Sequence, residues 1–230
     1  MVVTSLTRRG DDAMTTTLDR TATTAAGGRA ASRAAWSSLS TAGRARLLAE
    51  CSGIAVAGTG PSGHAVGPQE ARSQAAHELG GDVRSRCDRV LHDVAAHAAA
   101  LPAGSVRSTR VRTELVVDAG FPLELATLHL AAALIADETV LLGLCGHVTA
   151  GTLRYVRAVA ALLPGGVLRI SRGDRLVSGG TDRVVWLSSD CVTDRSPVTR
   201  GLAVVAAMTT SRQIVDGTSD PARRAAAPTS

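Results

Sequence analysis

The residues best suited to hold or react with a small molecule lie in two Gly-rich loops, each of which follows a predicted strand. The candidates are Gly58, Gly60, Ser62 and His64 in the first loop, GTGPSGH, and Cys145, His147, Thr149 and Thr152 in the second, CGHVTAGT. Glycine lets backbone N–H groups approach an anion, and hydroxyls beside a helix N-terminus complete such a site. The two loops therefore predict a small anionic ligand at the carboxyl edge of an open sheet.

Each candidate also has a plainer interpretation. A single GxGxxG-like run is a weak signal, because ordinary strand-to-helix turns need glycine as well. Cys145 is either an activated thiol or a small apolar filler, and Asp118 is either a turn cap or a ligand contact. His77 and Glu78 could join His64 in a metal or acid–base cluster. Neighbours on a helix are about 100° apart, however, which favours a solvated helix end for His77.

The pattern of apolar residues indicates the elements that position these loops. Strands are predicted over residues 52–57, 106–117, 140–144, 167–170 and 183–187, and helices over 31–50, 69–79, 82–100, 122–135, 152–163 and 198–215. This alternation predicts an α/β fold with a doubly wound, Rossmann-like parallel sheet and a helical N-terminal extension. Residues 31–217 form the predicted domain, and residues 1–30 and 218–230 are expected to be disordered.

Composition narrows the class of protein. Of the 230 residues 45% are apolar, enough for one domain with a core, and all 25 basic residues are Arg, with a net charge of +5. No basic run is interleaved with aromatic residues, which argues against nucleic-acid binding. The four cysteines have no paired spacing, which favours reduced thiols and a cytoplasmic location. The longest apolar run, residues 123–135, is too short to span a membrane.

The order of these motifs resembles the sugar isomerase (SIS) domain family, and within it the phosphoheptose isomerases. The matching features are the Ser-containing loop ending at Ser62, the pair Glu78-Leu79, the turn Asp118-Ala119-Gly120-Phe121, and the acidic turn and strand over residues 137–144. The resemblance covers roughly residues 31–216. It implies a sugar-phosphate ligand held by the loop of residues 145–152, and Glu78 as a catalytic acid–base group.

The resemblance also implies what is missing. The stretch of the last helix over residues 200–205 offers no His, Gln or Glu to complete the acid–base pair. The expected protein is thus a divergent isomerase-like binder of phosphorylated sugars that is noncatalytic, is an aldose–ketose isomerase, or acts with a paralogous subunit. A homo-oligomer or a hetero-oligomer with that paralogue is expected, with no cofactor and no metal.

Two other functions stay open from the sequence. In the first, GTGPSG is the cofactor loop of an S-adenosylmethionine-dependent methyltransferase, and residues 153–170 supply its later helix, Leu-x-Pro-Gly-Gly turn and strand. In the second, both loops are simple turns of a noncatalytic α/β interaction module. The first lacks an acidic residue that clearly ends a second strand to hold the ribose.

Overall fold

The computed structural model describes residues 28, 30–53, 81–106, 110–172, 180–195 and 201–219. A helix over residues 30–38 is α1. The other described helices are α2 (Thr41–Ser52), α3 (Gly81–Ala100), α4 (Leu123–Ile135), α5 (Ala150–Leu162) and α6 (Gly201–Ser219). The described strands are β1 (Arg112–Val117), β2 (Thr139–Leu144), β3 (Leu168–Arg172), β4 (Arg183–Leu187) and β5 (Val192–Arg195).

The five strands form one sheet in the order β3-β2-β1-β4-β5. All neighbouring pairs are parallel except β4 and β5, which run antiparallel. In the centre, Leu115 of β1 is level with Leu142 of β2 and Val185 of β4. The fold class is as predicted: α/β, with a parallel-dominated, Rossmann-like sheet flanked by helices.

Helix α4 is the centre of the core. Its sequence, LELATLHLAAALI, is apolar on almost every side, and residues 130–135 are all buried. A helix of this kind must be covered all round. It contacts β1 and β2 on one side, and α2, α3 and α6 on others.

The predicted helix over residues 31–50 is wrong in its continuity. The chain breaks at Ser40, whose side chain accepts the Gly43 N–H at 3.1 Å and caps α2. This Ser favours a helix start because it satisfies an N–H group that has no acceptor within the helix. The strand predicted over residues 52–57 is wrong at its first two residues. Ser52 is helical, and Gly53 ends α2 with φ 67°. Residues 54–57 and the helix predicted at 69–79 lie outside the described residues.

Two other strand predictions differ from the structure. The strand predicted over residues 106–117 begins only at Arg112, and Arg110 has φ 51°, which interrupts extended backbone. Strand β5 was not predicted, since its sequence, VTDR, is short and polar.

In the described parts of the chain, no helix combines the length and the hydropathy needed to cross a membrane.

Candidate ligand-binding edge

The loops after β1, β2 and β4 begin side by side. Val117, Leu144 and Leu187, the last residues of these strands, are level with one another in the parallel register. The Asp118 N–H donates to the Leu187 carbonyl at 3.0 Å, and the Cys145 N–H donates to the Val117 carbonyl at 2.9 Å. The three loops therefore leave the sheet from one line, where ligands of open α/β sheets bind.

The three loops approach one another closely enough to form one surface. A Cβ atom added to Gly146 would lie 3.0 Å from the Ala119 Cβ, and Gly146 has φ 67°. A Cβ atom added to Gly120 would lie 3.8 Å from the Ser189 Cβ. Only glycine adopts the first conformation without strain. We call this surface, residues 118–121, 145–152 and 188–191, the carboxyl edge.

Of the predicted site residues, three have structural tasks at this edge. Asp118 accepts the Trp186 indole N–H at 3.2 Å, which fixes the turn after β1 to β4. The Thr149 side chain accepts the Thr152 N–H at 3.1 Å, and the two hydroxyls are 2.9 Å apart. Thr149 is thus the N-cap of α5.

The other predicted residues at the carboxyl edge stay candidates for ligand contact. His147 is exposed, and Cys145 is half-buried. In the first turn of α5, the Thr149 side chain accepts a hydrogen bond from the Thr152 N–H, and the Thr149 carbonyl accepts one from the Leu153 N–H. The amides of Ala150 and Gly151 are then the donors of that turn without an acceptor inside the helix. The positive end of the α5 dipole lies at the same place.

The remaining predicted residues lie outside the described residues. These are Gly58, Gly60, Ser62 and His64 of the first loop and Glu78 of the helix predicted after it. Their assignment as ligand-binding or catalytic residues stays a prediction, as does the pocket expected between the first loop and the loop after Leu144.

Sequence reasoning missed a buried ionic cluster at the opposite end of the sheet. Arg183, the first residue of β4, donates to Glu138 Oε1 at 2.9 Å and to Asp194 Oδ2 at 2.7 Å. It also donates to the Ser211 Oγ at 2.5 Å, and Thr113 donates to the other oxygen of Glu138. We call Thr113, Glu138, Arg183, Asp194 and Ser211 the Arg183 cluster. It joins β1, the start of β2, β4, β5 and α6.

The Arg183 cluster perturbs the ionisable groups around it. Burial raises the pKa of Glu138 from 4.5 to about 7, although Arg183 and the Thr113 hydrogen bond both act to lower it. Burial, and then the positive charge of Arg183, lower the pKa of His129 on α4. A cleft of about 970 Å³ beside the cluster is lined by His129, Arg183, Asp194, Ser211 and Asp216, among others.

Two observations favour a structural role for this cluster. Glu138 and Arg183 satisfy each other, and both are nearly inaccessible to solvent. Hydrogen-bonded buried charges of this kind fix the register of the elements that carry them. No sequence signal relates Glu138 to Arg183, 45 residues later, because their pairing depends on the sheet. Within the described ranges, no group of His, Cys, Asp and Glu residues could hold a metal ion.

Comparisons with known proteins identify the fold. No family model and no curated protein matches the chain. Among solved structures it is similar to PnpE in complex with nicotinamide adenine dinucleotide (NAD), with 17% identity and a TM-score of 0.51, over 82% of this chain and 40% of that one. It is also similar to an NAD-dependent aldehyde dehydrogenase from Sinorhizobium meliloti, with 19% identity and a TM-score of 0.47, over 70% of this chain and 37% of that one.

A further match is an NADP-dependent glyceraldehyde-3-phosphate dehydrogenase from Bacillus halodurans C-125 complexed with NADP, with 17% identity, a TM-score of 0.46, and coverage of 70% of this chain and 38% of that one. The chain spans about two fifths of the length of these proteins. At such identities, the similarity shows the fold alone.

These matches overturn the predicted family. The fold is similar to that of PnpE, a protein solved with NAD, and not to that of a sugar isomerase, so the SIS resemblance and the sugar-phosphate function drawn from it are wrong. The methyltransferase and the noncatalytic interaction module are likewise unsupported. The resemblance misled because its described motifs are turns with structural tasks, such as Asp118 with Trp186 and Thr149 as a helix cap. Turns of that kind recur across α/β folds.

Proposed function

We propose that this chain binds a nicotinamide dinucleotide, NAD or NADP, at the carboxyl edge. The observation that carries the proposal is the meeting of the loops after β1, β2 and β4 on one surface, with the N-terminus of α5 opening onto it. Dinucleotides bind at this position in Rossmann-like sheets. The fold similarity to PnpE, a protein solved with NAD, supports the choice of ligand.

The residues at the carboxyl edge fit the phosphate part of such a ligand. Gly146 has no side chain to keep a pyrophosphate from the backbone, and the amides of Ala150 and Gly151 supply donors at the helix N-terminus. The hydroxyls of Ser188 and Ser189 lie in the turn after β4. His147 is exposed beside Gly146 and adds a side-chain donor.

The ribose part has fewer partners among these residues. In dinucleotide-binding folds a carboxylate commonly accepts from the ribose hydroxyls. Asp118 already accepts from Trp186, and Asp190 accepts from the Ser189 hydroxyl. The turn after β2 begins Cys145-Gly146-His147, with no acid. The proposal therefore assigns most of the affinity to the phosphates. A bound nicotinamide would supply hydride exchange, and this chain's residues would position it.

The proposal stops at binding, because the chain covers about two fifths of the length of PnpE. A cytoplasmic location is part of it and is supported by the four cysteines, which have no paired spacing in the sequence. Assembly into a homo-oligomer, or into a hetero-oligomer with a paralogue, stays a prediction.

Isothermal titration calorimetry with NAD⁺, NADP⁺, ADP-ribose and nicotinamide tests this proposal. ADP-ribose should bind nearly as well as NAD⁺, since phosphate contacts dominate, and nicotinamide alone should not bind. Gly146→Ala should weaken binding at least tenfold by crowding Ala119. Gly104→Ala is the matched control, because Gly104 also has a positive φ, 83°, but nothing within 4 Å of an added Cβ. Absence of binding by all the nucleotides at millimolar concentration would refute the proposal.

A further inference from the structure

A second cleft, of about 310 Å³, lies at the amino end of the sheet. Its described lining comes from α1, from the first residues of β1 and β2, from β3, and from the segment before β4. Three of its lining side chains are arginines: Arg33, Arg112 and Arg169. None of the described residues that line it is acidic.

The sheet brings two of these arginines to the same face. Arg112 is level with Thr139, and Leu141 of the same strand is level with Arg169. Arg112 and Arg169 are thus two strands and two residues apart, a Cα separation of about 12 Å from standard sheet spacings. Side chains as long as arginine can reach one ligand from that separation.

Helix α1 supplies the third arginine and is held in place. The Arg33 guanidinium donates to the Arg110 carbonyl at 2.7 Å, just before β1. At the other end of the cleft, a Cβ added to Gly165 would lie 3.8 Å from the Ser32 Oγ. Helix α1 thus lies across the amino end of the sheet, from the start of β1 to the turn before β3.

The positive charge in this cleft exceeds the negative charge beside it. Asp182 lies 3.7 Å from Arg112, between Oδ2 and Nε, and its carboxylate also accepts the Arg112 backbone N–H at 3.0 Å. No described acid pairs with Arg33 or Arg169. Among the described residues, three guanidinium groups and one carboxylate leave an excess of about two positive charges, next to the hydroxyls of Thr139 and Thr181.

We infer that this arginine cleft binds a small molecule carrying two or more anionic groups, with a polyphosphate as its preferred chemistry. Guanidinium groups hold phosphate oxygens through paired N–H donors, and arginine carries its charge at every physiological pH. The volume is at the lower end for ligand sites, which suits a compact anion better than a whole dinucleotide. The cleft is at the opposite end of the strands from the carboxyl edge, so it is a separate site.

Titration calorimetry with inorganic pyrophosphate tests this inference. Arg169→Gln should weaken pyrophosphate binding at least tenfold, and the affinity of the wild type should fall as salt is raised. Arg157→Gln, which removes an exposed arginine on α5 outside the cleft, is the matched control and should bind as the wild type does. Thermal unfolding of each variant verifies that it is folded. Equal pyrophosphate binding by the two variants, or no binding by the wild type, would overturn the inference.

Binding measurements on two variants distinguish this site from the carboxyl edge. Gly146→Ala should leave pyrophosphate binding to the arginine cleft unchanged, and Arg169→Gln should leave NAD binding unchanged. If Gly146→Ala abolished pyrophosphate binding and Arg169→Gln did not affect it, pyrophosphate would bind at the carboxyl edge and the cleft would not be its site.

Discussion

Glu138 shows how the environment of a single residue changes its ionisation. Its carboxyl group is buried and contacts Arg183 and Thr113, yet removal from water dominates and the pKa rises to about 7. Such a group stabilises the folded protein most when it is protonated, because the desolvation of a charge is then avoided. Its contribution to stability must therefore depend on pH.

The Glu138→Gln variant should expose this dependence. Between pH 4.5 and about 7 the folded protein holds a proton on Glu138 that the unfolded chain has released. The wild type should then lose stability relative to the variant as pH rises, by on the order of 1 kcal/mol per pH unit within that window. Urea unfolding of both proteins across this range measures the difference. A wild-type stability that stays constant or rises with pH, relative to that of the variant, would contradict the raised pKa.

The titration of His129 contributes equally to the stability of both proteins and so drops out of this comparison. Its pKa is lowered by burial and by Arg183, so its contribution is present at neutral pH and is lost as pH falls. The effect is opposite in sign to that of Glu138, but it is present in both proteins. A Glu138→Gln, His129→Gln double variant beside a His129→Gln single variant gives the same slope if the two groups act independently.

The four thiols should differ in reactivity. Cys191 is exposed, Cys145 is half-buried, and Cys51 and Cys87 are buried, with burial raising the pKa of Cys87 to about 12. Since the thiolate is the reactive form, Cys191 should be alkylated first, and Cys51 and Cys87 only after unfolding. Mass spectrometry of peptides from timed alkylation gives the order. NAD should slow the alkylation of Cys145, so that Cys191 remains the faster of the two. Early labelling of Cys87 in the folded protein would show that its thiol is accessible, which contradicts this order.

At the scale of elements, the N-cap of α5 can be tested by substitution. Thr149 caps this helix, and Thr149→Ala should lower the free energy of unfolding by about 1 kcal/mol. Thr152→Ala is the matched control, because it keeps the backbone N–H that Thr149 accepts and loses only a hydroxyl contact. Chemical unfolding measures both. Equal losses in the two variants would mean that Thr149 is not the cap.

Elements whose apolar residues follow one clear pattern were predictable from the sequence. Strands β2, β3 and β4 begin within a residue of the prediction because each is an apolar, β-branched run between turn residues. Strand β5 was missed because its pairing with β4, not its own polar sequence, makes it extended. The break at Ser40 was also missed, although a Ser before a helical pattern signals a start.

The candidate site was predictable only in part. The place of the loop after β2 follows from the strand–turn–helix pattern, which puts residues 145–152 at the carboxyl edge. The contacts Gly146–Ala119 and Gly120–Ser189 could not be predicted, because they depend on the order of strands in the sheet. The family resemblance failed for the same reason: a linear order of turns does not determine which loops meet.

On the scale of the whole molecule, the two ends of the sheet differ in chemistry. The carboxyl edge has glycines, hydroxyls and a helix N-terminus, whereas the amino end has the Arg183 cluster on one face and the arginine cleft on the other. Strand β1 spans six residues, so the ends are about 17–20 Å apart. A small ligand at one end cannot touch the other, and each proposal can be tested in the presence of the other ligand.

Hydrogen–deuterium exchange with and without NAD tests the central claim most directly, because it locates the ligand on the backbone. We predict slower exchange in the segments 118–121, 145–152 and 188–191, and unchanged exchange in β1 and β4 near Thr113 and Arg183. Protection confined to the amino end of the sheet, or no change in any segment at saturating NAD, would contradict the account.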